Sequence, residues 1–221
     1  MLNVDKYDLS RHHEPITVSD QLASAISWVM ASIANLLFGR RYGDRVVVLE
    51  TISAVPGMVA ATLLHLRCLR RMMDDQGWVR VFMDEAENQR AHLMAFVAIR
   101  QPSGLERLLI LLAQGAFYNS FFLLYLCSPA AAHRLTGYLS ETAVRGYSHL
   151  LERIERGEQA DIAAPAFAIA YWNLDSSARL SDVIIAMRED EAIHRDINHA
   201  FADARAAGSS FPKRSVIGLR L

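Results

Sequence analysis

The sequence predicts an all-α protein. Apolar residues recur at helical rather than alternating spacing along most of the 221 residues, and Gly (11) and Pro (6) are too few for the turns of an all-β chain. Hydrophobic residues make up 52% and charged residues 21%, which excludes a disordered chain. The β-branched run Val46-Val47-Val48 sits inside a longer helical pattern.

Six helices follow in order. The first is expected over Asp20–Phe38 with Ser19 as its N-cap, and Gly39–Gly43 is read as a basic loop. The second runs over Asp44–Met73, with a kink expected at Pro56-Gly57. Asp74–Gly77 is a turn, and the third helix covers Trp78–Arg100. Ser103-Gly104-Leu105-Glu106 reads as a capping box that opens the fourth, to Cys127. Ser128-Pro129 places a cap before a first-turn proline and opens the fifth, to Arg156. Residues 157–178 are a connection, and Ser181 caps a sixth helix to Ala206. The division is thus a polar arm over 1–18, one helical domain over 19–206 and a tail over 207–221.

Charge and cysteine content narrow the function. A net charge of −1 gives no basic surface for nucleic acid. Cys68 and Cys127 make neither a disulfide framework nor a zinc pattern. The first fifteen residues show no signal or transit pattern, so the protein is expected to stay in its compartment of synthesis. Leu108–Cys127 is twenty residues without a charge, long enough to span a bilayer, with Gln114, Asn119 and Ser120 near its middle. A core helix, a span and a helix in one leaflet's interface all fit it. The first helix decides among them: it too is uncharged after Asp20 and apolar nearly all round, and ends in Arg40-Arg41. The two exceed what so small a protein can bury, so they are expected to form one membrane-facing plateau.

Chemistry concentrates near the C-terminus. Glu191 and His194 are three residues apart, on one helix face. Glu-x-x-His is the half-site of di-iron carboxylate bundles, in which two helices each give Glu-x-x-His and two others each give one Glu. Glu50 is a lone carboxylate before an apolar run, a placement rare unless the group is paired or metal-bound. The third helix offers Gln89 and His92 at the right spacing, with Gln where Glu is needed, and the fifth offers Ser140-Glu141-Thr142. His65 and His133 read as structural.

Several motifs carry a family resemblance. They are Arg45-Val46-Val47-Val48-Leu49-Glu50-Thr51, Val55-Pro56-Gly57-Met58, Leu64-His65-Leu66-Arg67, Asp84-Glu85-Ala86-Glu87-Asn88, His92-Leu93-Met94 and Leu112-Ala113-Gln114-Gly115. Gly137-Tyr138-Leu139, Tyr171-Trp172, Asp190-Glu191-Ala192 and His194-Arg195-Asp196 continue the series. Over residues 40–203 the chain resembles the alternative oxidases, monotopic di-iron ubiquinol oxidases related to the plastid terminal oxidase. The resemblance implies a ferritin-like four-helix bundle of the second, third, fifth and sixth helices, with the first and fourth on the membrane. It implies a homodimer that takes ubiquinol from the lipid phase and reduces O2 to water at two irons. The location expected is the cytoplasmic face of a bacterial inner membrane.

Residue by residue, the family's ligand positions fall on Glu50, Gln89, His92, Ser140, Glu191 and His194, so two glutamates are replaced. The redox-linked tyrosine position is Tyr147, and the quinol-pocket positions keep Arg45, Leu49, Leu139 and Ala143, with Thr142 in place of a Glu and Gly146 in place of a Thr. Four glutamates would offset two ferrous ions, whereas Glu50 and Glu191 offset one. One divalent ion with Glu50, His92, Glu191 and His194 is neutral and resembles a mononuclear two-His carboxylate site. Glu141 is one residue, about 100°, from the missing ligand, and is expected to face out and pair with Arg145. The reading is a quinol oxidase with a modified iron site. The alternatives are a repurposed mononuclear oxygen-dependent enzyme, or a non-catalytic membrane- or quinone-binding bundle.

Overall fold

A Thr17–Asp20 exchange sets the first helix. The Asp20 amide donates to the Thr17 hydroxyl at 3.1 Å and the Thr17 amide donates to the Asp20 carboxylate at 3.0 Å. This reciprocal box starts α1 (Val18–Phe38) at Val18, so Thr17 and not Ser19 is its cap. The computed structural model describes residues 8–38, 42–101 and 103–213, with backbone alone for 37–38 and 42–48. Within them the elements are α1, α2 (Tyr42–Arg71), α3 (Trp78–Ile99), α4 (Gly104–Cys127), α5 (Pro129–Glu155), α6 (Ala166–Trp172) and α7 (Leu180–Ala206). Among the described residues no strand forms, and one isolated bridge joins Ala163 to Arg179.

Several start and stop signals act as expected. The Ser103 hydroxyl accepts from the Glu106 amide while Glu106 accepts from the Ser103 amide, and the Ser128 hydroxyl accepts from the Ala131 amide. Others differ. Of the expected 39–43 loop, Tyr42 and Gly43 belong to the first turn of α2, and residues 39–41 lie outside the described residues. The helix α2 carries Pro56 inside it and ends at Arg71, two residues before the expected Met73. The seven-residue α6 forms inside the expected connection. Ser181 does not cap α7: Asp182 accepts from the Arg179 amide, and Ser181 donates to Asp161.

The chain divides into two compact units, one of Met1–Ala31 with His133–Leu221, the other of Ser32–Ala132. In the second, α2 packs on α3 and α4. A Cβ on Gly57 would stand 2.7 Å from the Phe82 carbonyl, so only glycine lets α3 approach α2 this closely. In the first unit, α6 packs on α7. There the His199 ring occupies the space where a Gly137 Cβ would sit, at 2.5 Å, drawing α7 onto α5.

Among the described residues two stretches are long and apolar enough to cross a bilayer by length and composition, Leu49–Arg71 and Gly104–Cys127. They behave differently. In α2 44% of that window is buried, as in a core helix, whereas in α4 only 11% is. Leu108, Leu111, Leu112, Leu123 and Leu126 of α4 face out, as do Leu22, Trp28, Ile33 and Leu36 of α1. These are the two helices expected to face a membrane.

Candidate functional site

The second unit carries one half of the predicted constellation. Glu50 on α2 and His92 on α3 are both buried, and His92 Nδ1 lies 3.4 Å from Glu50 Oε2. Gln89 is buried one turn before His92, and Glu85, a buried carboxylate, lies one turn earlier still. Residues 85, 89 and 92 share a helical face by their spacing, so Glu85 was within reach of sequence reasoning as an inward acid. Leu49 is half-buried beside Glu50. Arg45 falls on the backbone of α2, and its side chain lies outside the described residues.

The other half lies in the first unit. Glu191 and His194 are buried on α7, with His194 Nδ1 3.8 Å from Glu191 Oε2. The Trp172 indole N–H donates to Asp190 at 2.8 Å, tying α6 to the residue before Glu191. On α5, Ser140 and Tyr147 are buried. Leu139, Thr142 and Ala143 are half-buried on the same two turns. The Thr142 hydroxyl donates to the Tyr138 carbonyl and lies 3.1 Å from the Ser27 hydroxyl of α1.

Glu141 departs from expectation. It is buried rather than outward-facing, and its distance to Arg145 is a long 3.6 Å. Its carboxylate is held instead by His12 Nδ1 at 2.5 Å, the His13 amide at 2.9 Å and His199 Nε2 at 2.9 Å. Arg134, which can only donate, bonds His199 Nδ1 at 2.9 Å, so the ring hydrogen sits on Nε2 and points at Glu141. Arg134 also bonds Asp20 of α1 and Asp203 of α7. Burial pushes the Glu141 carboxyl up, but the bonds from His199, the His13 amide and His12 outweigh it and hold it down at about 2. Both carboxylate oxygens of Glu141 are so engaged.

The structure thus builds two buried carboxylate–imidazole pairs, Glu50–His92 and Glu191–His194. Uncompensated carboxylates are rarely buried, and a carboxylate with a neutral imidazole suits a divalent metal such as iron. Gln89 and Ser140, where the resemblance implies glutamates, are buried and neutral.

The model of the family described as "Alternative oxidase" matches residues 4–203. "Ubiquinol oxidase 2, mitochondrial" of Glycine max is 47% identical over 201 residues, covering 91% of this chain and 60% of the relative. "Ubiquinol oxidase, mitochondrial" of Mangifera indica is 47% identical, with 91% and 63% covered. "Ubiquinol oxidase 2, mitochondrial" of Arabidopsis thaliana is 45% identical, with 91% and 57% covered. The chain spans about three fifths of the length of these relatives.

Proposed function

The chain belongs to the alternative oxidase family, and from that premise we propose that it is a membrane-surface ubiquinol:oxygen oxidoreductase with a modified iron site. In this reading residues 19–206 act as one domain, with α2, α3, α5 and α7 as a four-helix bundle and α1 and α4 on the membrane. Two ubiquinols give up four electrons and four protons, and one O2 takes them as two waters. The observation that carries the reading is the burial of two carboxylate–imidazole pairs, Glu50–His92 and Glu191–His194, in a chain of this family.

The donors suit a single ion better than two. Glu50 and Glu191 bring two negative charges, which balance one divalent cation, and Gln89 and Ser140 bring none. A second ferrous ion would leave two positive charges in a buried site, a cost of several kcal/mol. Iron held by Glu50, His92, Glu191 and His194, with Gln89 as a weak amide donor, would supply the O2 binding and redox chemistry. Tyr147, buried on α5, is the redox-linked tyrosine of this reading. Arg45, Leu49, Leu139, Thr142 and Ala143 are the quinol-binding positions of this reading.

The test is iron per chain after anaerobic reconstitution in detergent, with zinc and manganese as controls, followed by ubiquinol-dependent O2 uptake. The expected result is one iron and uptake that chelation removes. The double variant Gln89→Glu with Ser140→Glu is expected to take up a second iron. Two irons in the unaltered chain overturn the single-ion assignment. Iron without quinol-dependent uptake points to a repurposed oxygen-dependent enzyme, and a folded chain that binds no metal would falsify the oxidase reading.

A further inference from the structure

The strongest unassigned feature is the polar cluster that fastens the N-terminal arm. Arg195, itself buried, donates to the backbone carbonyls of Asp8 at 2.8 Å and Arg11 at 3.1 Å. The Arg11 side chain reaches Asp196 at 3.1 Å. The next two residues end on Glu141, through the His12 ring and the His13 amide. The His13 ring then stacks on His199, with centroids 4.8 Å apart, and lies 6.2 Å from the Tyr138 ring. An arm with no regular secondary structure is therefore pinned along residues 8–13, its last anchor a buried ionised carboxylate. Bonds to charged groups are the stronger class of hydrogen bond.

The anchor has a specific place on α5. Leu139, Thr142 and Ala143 lie within two residues of Glu141. The same turn is held from α1, where the Ser27 hydroxyl donates to the Tyr138 carbonyl at 3.1 Å, and from α7, where His199 fills the space over Gly137. Resting on the quinol-oxidase reading above, we propose that Glu141 is a positioning residue for quinol: strapped by His12 and His13, it fixes the α5 turn that carries Leu139, Thr142 and Ala143. The carboxylate touches neither metal nor substrate in this role. It converts docking of the arm into the register of a substrate-binding turn.

The strap can be loosened without touching the core, because the His12 side chain is 48% exposed. The experiment compares the full-length wild type, His12→Ala and His12→Asn, whose amide N–H stands in for the Nδ1 donor. Hydrogen exchange at the His13 amide and the ubiquinol KM and kcat are measured on each. In His12→Ala the His13 amide is expected to exchange roughly tenfold faster, the effect of losing one bond to a charged group. KM is expected to rise severalfold with kcat within twofold, and His12→Asn to recover both. Unchanged exchange in His12→Ala overturns the strap. Faster exchange with unchanged KM overturns the positioning role and leaves the oxidase reading intact. A wild type that consumes no quinol overturns the role together with that reading, whatever the exchange shows.

Discussion

His133 shows how one buried side chain sets a pH limit. Its ring is fully enclosed on α5, bonded through Nδ1 to Asn198 at 2.9 Å and stacked on Phe201 at 4.9 Å. Burial is the main force that lowers its pKa, from 6.5 to about 4, with Arg205 adding to it and the Asn198 bond opposing it. The folded state therefore binds this proton less readily than the unfolded chain. Stability from His133 is complete above pH 6.5 and drains away as pH falls toward 4, by about 3 kcal/mol in all. Glu141, held at about 2, loses its contribution in a separate window below 4.5, as its carboxyl takes up a proton. Denaturant midpoints should fall steadily from pH 6.5 to 4 in the wild type. His133→Asn should be less stable at neutral pH and lose most of the slope in that window, the remainder coming from His13, whose pKa burial also lowers. A variant that keeps the wild-type slope would show that another group titrates there.

At the scale of elements, α4 gives the clearest expectation. Apart from Phe121 and Tyr125, its apolar residues are not buried: Leu108 and Leu112, one turn apart, are both more than half exposed. Burying each in a lipid interface contributes roughly 1.5–3 kcal/mol. Leu108→Glu with Leu112→Glu should weaken binding to liposomes at least tenfold, with helix content unchanged. Equal co-sedimentation of variant and wild type would remove α4 from the membrane face. The helix was legible in sequence because its start, Ser103…Glu106, and its uncharged run are local signals. The starts of α1 and α7 each lie two residues before those the sequence suggests, because several polar side chains stand within reach of the same amides. The seven residues of α6 are too short to show a period. The candidate site divides the same way. Glu50, His92, Glu191 and His194 could be picked out because a lone acid in an apolar run and an i,i+3 pair are local patterns. Glu141 could not, since its partners His12, His13 and His199 lie 129, 128 and 58 residues away.

For the whole molecule, apolar surface also stands exposed outside α1 and α4. On α2, Met58, Leu66 and Leu69 repeat at helical spacing and are at least two-fifths exposed, and Met83 of α3 is nearly half exposed. Beside them runs an open groove of about 650 Å³ lined by His65, Asp75, Arg80, Asp84 and Glu87. Apolar residues bordered by charges of both signs suit an isologous interface, where each patch meets its own copy and opposite charges can pair across the axis. A homodimer is also what the family resemblance implies. Leu69→Asp with Met58→Asp would place two carboxylates in that interface and two more from its partner, with no cation added to balance them. Both side chains are exposed in the single chain, so its fold should survive the change. Mass photometry in a mild detergent should then show dimers for the wild type at micromolar concentration and monomers for the variant. Dimers of undiminished stability in the variant would move the interface elsewhere. Monomers in both would mean that the face on α2 and α3 serves no second copy of this chain.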